Sequence, residues 1–251
     1  MTEKSRIVGI IPAAGKGSRL APFPCPKELF PVGYQDFETE GTLQKRPKVI
    51  SQYLTEQMAA AGAGTIFFVL GEDKWDIARY YGDGSQFGVD IAYLYQAEPK
   101  GLPFALDLAR PWIDQKTVVF GMPDTIIEPD DVFRRLLAAH NDNANDLTLG
   151  LFPTDTPSKF GMVSFDSSQK FSFTIDKPKE SDLEYMWGIA AWGPGFTEFQ
   201  GRYLKDVHRS RWEAILGDVF NAAKESGLKI GCAPFADGKY MDIGTADELD
   251  R

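Results

Sequence analysis

Short apolar runs alternate along this chain with stretches whose apolar residues recur at helical spacing. Ile7 to Ile11 is a run of strand length. Thr65 to Leu70 is an unbroken apolar run, as in a strand buried on both faces, and Val89 to Tyr95, Thr117 to Phe120 and Asp146 to Phe152 read as further strands. From Pro47 onward, Val49, Ile50, Tyr53, Leu54, Gln57, Met58 and Ala61 share one helical face, and Gly62 and Gly64 stop it. Asp73 to Tyr81, Leu102 to Ala109 (ending before Pro111) and Asp130 to Ala139 read as further helices. The acidic start of the last suits the helix dipole. Strand and helix alternate through Phe152, which predicts a parallel sheet covered by helices on both faces.

The remainder is patterned differently. Met162 to Phe165 and Phe171 to Ile175 flank a turn at Asp166 to Lys170 and read as a hairpin. Met186 to Trp192 and Leu228 to Cys232 read as strands, and Phe196 to Val207 and Arg211 to Ser226 as helices. Gly238 to Thr245 delivers one aspartate, and Ala246 to Arg251 begins a last helix. Gly33 to Lys45 is polar, acidic and unpatterned, the profile of a surface loop. No repeat or linker divides the chain. The expectation is one α/β domain over residues 1–251, with halves 1–150 and 151–251. It has three α/β/α layers, a mixed, mostly parallel sheet and a small β-rich lid.

Charge narrows the partners. A net charge of −9 and a pI near 4.8 argue against general nucleic-acid binding, which needs a basic face. Cys25 and Cys232 are far apart and lack metal-ligand spacing, so reduced thiols are expected. No run reaches the ~20 apolar residues of a membrane span, and Ile7 to Ile11 is too short for a signal peptide. A cytoplasmic protein is expected.

The chemistry concentrates where the first strand breaks into Pro12-Ala13-Ala14-Gly15-Lys16-Gly17-Ser18-Arg19. Small residues there let backbone N–H groups approach an anion, and Lys16, Arg19 and Lys27 add positive charge. A Walker A loop is excluded, because Gly9 precedes Gly15 by one residue too many and Gly17 follows Lys16. A dinucleotide loop is disfavoured as well. Its third glycine is Leu20, and Pro22, Pro24 and Pro26 stop the helix it requires.

Taken whole, Gly15-x-Gly17-x-Arg19-Leu20-x-Pro22, then Pro26-Lys27-x-Leu29-x-Pro31-Val32, resembles the opening motif of the sugar-1-phosphate nucleotidyltransferases. The resemblance implies their Rossmann-like fold, with Mg²⁺ as cofactor. It implies dTTP or UTP and a sugar 1-phosphate, foremost glucose 1-phosphate, as substrates. Ala14, Gly15 and Gly17 would then wrap the triphosphate, with Arg19 on its β/γ-phosphates and Lys27 on the α-phosphate as catalytic residues. Tyr95 to Leu102 resembles the base-reading segment. There Gln96 offers both a donor and an acceptor to a pyrimidine edge and the Gly101 backbone lies against the base.

Asp124 and Asp242 match the family's two metal-binding aspartates, whose hard oxygens suit Mg²⁺. Phe160-Gly161-Met162-Val163 and Asp176-Lys177-Pro178 resemble the sugar-phosphate segments, with Gly161 on the sugar and Lys177 on its phosphate. Asp176 stands where the family commonly has Glu. Trp187 stands where it often has a small residue, facing either the pocket or the core. Met122-Pro123-Asp124 and Pro26-Lys27-Glu28 look like the uridylyl branch. Met241-Asp242-Ile243-Gly244-Thr245 looks like the thymidylyl and guanylyl branches. The chain stops soon after Asp242, so the assembly of relatives does not carry over and a homo-oligomer is left open. His140 and His208 read as surface or helix residues rather than general bases. The alternatives are a cytidylyl- or guanylyltransferase of the same fold, a glycosyltransferase, or a non-catalytic nucleotide-sugar sensor. A glycosyltransferase would carry Asp-x-Asp at a strand end, where none is found; a sensor would lack a motif aspartate or lysine, yet all are present.

Overall fold

Strand β1 (Ile7–Ala13) sits inside a nine-stranded sheet because it is apolar on both faces. Val8 and Ile10 enter the core on one side, Ile11 and Ala13 the core on the other. The computed structural model describes residues 5–15, 17, 24–39, 41–207 and 214–243. The other strands are β2 (Pro31–Thr39), β3 (Thr42–Val49), β4 (Thr65–Leu70), β5 (Asp90–Tyr95), β6 (Thr117–Gly121), β7 (Thr125–Glu128) and β8 (Leu147–Pro153). They continue with β9 (Gly161–Phe165), β10 (Phe171–Asp176), β11 (Tyr185–Trp192), β12 (Ile230–Pro234) and β13 (Lys239–Asp242). The helices are α1 (Ile50–Ala60), α2 (Trp75–Tyr81), α3 (Leu102–Asp107), α4 (Arg110–Ile113), α5 (Val132–Asp142), α6 (Pro194–Val207) and α7 (Leu216–Glu225).

Strands β5, β4, β1 and β6 pair in parallel in that order. Antiparallel β11 follows β6, and β8 and β12 continue beyond it. Hairpin β9–β10 meets β11 on the edge that β6 also uses, through Met162 and Met186. Only β10 and β11 run against the other seven strands, so the sheet is mixed and mostly parallel. Its two faces are closed by different helices. Leu54 of α1, Ile77 of α2 and Phe133 of α5 pack on one face. Leu106 of α3, Phe196 of α6 and Phe220 of α7 pack on the other.

Gly33 to Lys45, expected as a surface loop, instead forms most of the antiparallel hairpin β2–β3. Its contacts are polar, which is why the strand period is missing from its apolar residues. Gln35 and Gln52 exchange amide hydrogen bonds at 3.2 and 2.5 Å, Lys48 pairs with Glu56, and the Arg46 guanidinium lies 4.5 Å from the Phe37 ring centre. Pro47 and Val49 therefore belong to β3, and α1 starts only at Ile50. Pro111 does not end helical structure. It enters the first turn of α4, where a missing N–H costs little. Strand β7 was not foreseen; four residues beside an aspartate carry too weak a pattern.

Leu54 is 1 % exposed, and its methyl groups fill the space beside Gly121, where an added Cβ would come within 2.7 Å. Leu54→Ala is expected to lower stability by about 2–5 kcal/mol with an unchanged denaturant slope in urea melts. A loss under ~0.5 kcal/mol, the range of surface changes, would contradict this packing.

A candidate active site at the carboxyl ends of the parallel strands

From β1 the chain steps to β4 and β5 on one side and then crosses back to β6 on the other side of β1, and such a switch point opens a crevice at the carboxyl ends of the strands. Ala14, Gly15 and Gly17 follow β1, and Gly17 has φ +64°, which favours glycine. The end of β4 comes close to this loop: a Cβ on Gly71 would lie 2.8 Å from the Ala14 carbonyl oxygen. Gln96 follows β5, its N–H donating to the Leu70 carbonyl at 2.9 Å. Gly101, with φ +103°, opens α3. These five expected nucleotide contacts thus share the carboxyl edge. Arg19, like Lys16 and His208, lies outside the described residues.

Lys27 sits on a single 3-10 turn, Lys27–Leu29. Its ammonium pairs with Asp124, a carboxylate at the end of β6 that is 4 % exposed. Burial opposes the charge on Lys27, but Asp124, Glu28 and Asp242 outweigh it and raise the pKa. The next residue, Glu28, points away into the protein and binds Lys74, with Nζ at 2.7 and 3.1 Å from its two oxygens. Two successive residues of one turn are thus held by opposite partners, which sets the direction of Lys27.

The two candidate metal ligands are brought together by the short ladder that the sequence left unseen. Strand β13 pairs with β7, Asp242 lies opposite Thr125, and the Ile243 N–H donates to the Asp124 carbonyl at 3.0 Å. Beside them Tyr240 is half-buried, its ring against Phe152 and Phe160. Burial, then Asp124 and Asp242, hold its pKa well above the usual phenol value. Among the described residues no three His, Cys, Asp or Glu side chains form a metal cluster. Two carboxylates alone therefore require ligands from elsewhere.

A cavity of about 430 Å³ joins these groups to the second half of the chain. Lys27, Asp124, Gly161, Asp176, Lys177, Trp187 and Asp242 all line it. Asp176 is opposite Gly161 in the β9–β10 pair, and the Lys177 N–H donates to the Phe160 carbonyl at 2.9 Å. Lys177 has φ +44°, a left-handed conformation that costs a non-glycine residue energy and recurs at functional sites. Trp187 both lines this cavity and packs against the core beside Phe120 and Phe220, so it takes part in each of its two sequence readings. Ser158, Lys159, Tyr240 and Ile215 also line the wall and were not singled out as site residues beforehand. Tyr240 stood within Gly238 to Thr245, the segment read as delivering an aspartate; the others carry no sequence signal. A larger groove of about 1040 Å³ lies beyond Phe160 and Tyr240. It lacks Lys27, Asp124 and Lys177, which line the smaller cavity.

Residues 8–250 match the family model described as nucleotidyl transferase. A low-salt glycan biosynthesis nucleotidyltransferase of Haloferax volcanii is 28% identical over 246 residues, 96% of this chain but only 63% of that protein. A glucose-1-phosphate thymidylyltransferase of Neisseria meningitidis is 28% identical over 248 residues, 96% of this chain and 79% of that one. Among solved structures, a Bacillus anthracis protein assigned as a glucose-1-phosphate thymidylyltransferase, solved with sucrose, superposes with a TM-score of 0.82. Coverage there is 98% of this chain and 93% of the other, and at 24% identity the likeness concerns the fold.

The Glu28–Lys74 pair carries a pH prediction. Burial raises the Glu28 pKa, and Lys74 pulls it back only in part. Glu28 thus holds its proton more tightly folded than unfolded. Its contribution to stability is full below the ordinary value of 4.5 and declines as pH rises through the folded value. Lys74→Met removes the counter-charge and raises that folded value further. The variant is expected to lose about 3–5 kcal/mol at pH 7 and far less near pH 4, read from urea melts at both pH values. An equal loss at both would mean that the pair contributes only packing.

Proposed function

We propose, since this chain belongs to the nucleotidyl transferase family, that it condenses a sugar 1-phosphate with dTTP or UTP to give an NDP-sugar and pyrophosphate. One observation carries the reading. Two cations, Lys27 and Lys177, and two carboxylates, Asp124 and Asp242, converge on one cavity. The first half of the chain, residues 1–150, would hold the triphosphate and the second, 151–251, the sugar phosphate, within one domain.

In this mechanism a phosphate oxygen of the sugar 1-phosphate attacks the α-phosphorus in line. The new oxygen–phosphorus bond forms as the bond to the β-phosphate oxygen breaks, and pyrophosphate leaves with the electron pair. No side chain acts as nucleophile, so catalysis consists of positioning and charge neutralisation. Lys27 faces the α-phosphate, with its raised pKa keeping it charged. Lys177 holds the sugar phosphate, Asp176 accepts from sugar hydroxyls, and the Gly161 backbone lies against the ring. Gln96 reads the pyrimidine edge from the end of β5, with the Gly101 backbone beside it. Arg19 would hold the departing pyrophosphate. Asp124 and Asp242 fit Mg²⁺, which takes one or two carboxylates and completes its shell with phosphate oxygens and water. Bound there, the ion would neutralise phosphate charge. Such an enzyme works where soluble triphosphates are, in the cytoplasm. Among the described residues no helix is long and apolar enough to cross a membrane.

A pyrophosphate-release screen of dTTP, UTP, CTP, GTP and ATP against several sugar 1-phosphates tests the reading. Turnover is expected with dTTP or UTP and glucose 1-phosphate, in Mg²⁺ and not in EDTA. Silence across the whole matrix would refute it. Asp124→Asn is expected to cut kcat by about 100-fold with the fold intact by circular dichroism. Lys177→Ala should raise the KM for sugar phosphate by roughly tenfold or more and leave that for nucleotide nearly unchanged.

A further inference from the structure

Strand β5 closes the sheet at one end, and among the described residues no strand pairs with its outer edge. Asp90 and Gln96 donate their N–H groups inward, to the carbonyls of Gly64 and Leu70 at 3.2 and 2.9 Å. The intervening odd residues, Ile91, Tyr93 and Tyr95, therefore turn their backbone groups outward. The Ile91 N–H meets the Asp83 carbonyl at 2.9 Å, in the turn that follows α2. That turn covers the start of the edge, and the strand ends at Tyr95. Between them, the N–H and C=O groups of Tyr93 and Tyr95 bond to nothing among the described residues.

Proteins guard a bare edge with a lysine, a proline, a bulge or a covering segment. Beyond Ile91 this edge has none of these: the residues are Ala92, Tyr93, Leu94, Tyr95 and Gln96, in regular register with β4. Apolar surface flanks it on both faces. Toward α2, the Tyr95 ring stacks on Trp75 with 5.8 Å between centres, and the two residues are 47 % and 53 % exposed. On the other face, half-buried Ala92 and Leu94 line an open trough of about 640 Å³ that Trp112 also lines.

The edge is complementary to itself. In an antiparallel pair, residues directly opposite each other alternate between exchanging both backbone bonds and exchanging none. With Leu94 opposite the partner's Leu94, on a two-fold axis normal to the sheet, Tyr93 lies opposite the partner's Tyr95. Tyr95 then lies opposite the partner's Tyr93. Four N–H···O bonds form, and they use every unbonded group of these tyrosine backbones in both copies. The edge ends where it must, because Ile91 already has Asp83 and the chain leaves the strand after Tyr95. Side chains match as well. Leucine meets leucine on the trough face, tyrosine meets tyrosine beside Trp75, and no like charges are opposed.

We propose that the β5 edge is a homodimer interface, closed by a second copy of this chain in the register centred on Leu94. A two-fold contact requires one patch that fits itself, and this edge meets the requirement in hydrogen bonds and in side chains. The exposed halves of Trp75 and Tyr95 add roughly 200 Å² of ring surface per copy. A ribbon this short buries less than the ~1,200 Å² of stable interfaces, so the dimer is expected to be a dissociating one.

Sedimentation velocity from roughly 1 μM to 1 mM should show monomer giving way to dimer as concentration rises. Leu94→Lys and Leu94→Glu each set two like charges face to face on the axis. Each is expected to raise the dissociation constant by about tenfold or more, with the fold intact by circular dichroism. Mixed in equal amounts, the two variants are expected to recover a heterodimer, because an ammonium then faces a carboxylate. No other register sets residue 94 opposite itself, so the recovery reads the register as well as the surface. A further readout needs no variant: amide exchange at Tyr93 and Tyr95 of the wild type should slow as concentration rises.

A wild type still monomeric at about 1 mM overturns the proposal and leaves the edge to a strand of another protein. A dimer that both variants form as tightly as the wild type overturns it too, since the contact then lies elsewhere. So does a mixture that fails to recover. Should a variant not fold, exchange at Tyr93 and Tyr95 that ignores concentration has the same force. None of these readouts requires turnover, so they stand apart from the enzymatic reading.

Discussion

The turn at Lys27–Leu29 is tied down by two ion pairs that pull in opposite directions, and the arrangement of charges around the smaller cavity depends on it. Glu28 reaches inward to Lys74 at 2.7 Å, while Lys27 reaches outward to Asp124. A three-residue turn has too few backbone hydrogen bonds to hold a long side chain in place. Here the buried pair supplies the anchor, and the cost of leaving either of its charges alone inside the protein keeps the turn in one geometry. The direction of Lys27 is therefore set by a residue that never touches the cavity.

The rest of the site is held by the sheet. Parallel strands β5, β4, β1 and β6 deliver Gln96, Gly71, Ala14 and Asp124 to one edge; β4, β1 and β6 are buried on both faces, and β5 is the half-exposed edge strand. A shift of any strand would carry its terminal residue away from that edge and turn apolar side chains out of the core, so the register that fills the core also aligns the site. The second half of the chain extends the same sheet. Hairpin β9–β10 uses the edge of β11 that β6 leaves open beyond Gly121, and this places Gly161 and Lys177 opposite Asp124 across the cavity.

Legibility followed the strength of the local pattern. Buried strands such as Thr65–Leu70 and amphipathic helices such as α5 were readable because their residues answer to one neighbour, the core. The β2–β3 hairpin was not, because its contacts are amide pairs, an ion pair with α1 and a cation over Phe37. Such contacts leave no apolar period. Strand β7 was hidden by its brevity, and it is the strand that brings Asp124 beside Asp242.

Residue type and order alone determined much of this protein. Glycines where the backbone must turn, apolar runs long enough for buried strands, and the spacing of Lys27, Gln96, Asp124, Lys177 and Asp242 were all present before any coordinate. These choices are local, and local chemistry is written in sequence. What only the tertiary structure decided is direction. Whether Glu28 or Lys27 faces the cavity depends on Lys74, forty-six residues away. Whether Trp187 takes the cavity side of the sheet or the opposite core depends on one extra residue in the ladder with β8. Both answers arise from pairing between distant segments, where burial energy and register, rather than propensity, choose the side a residue takes.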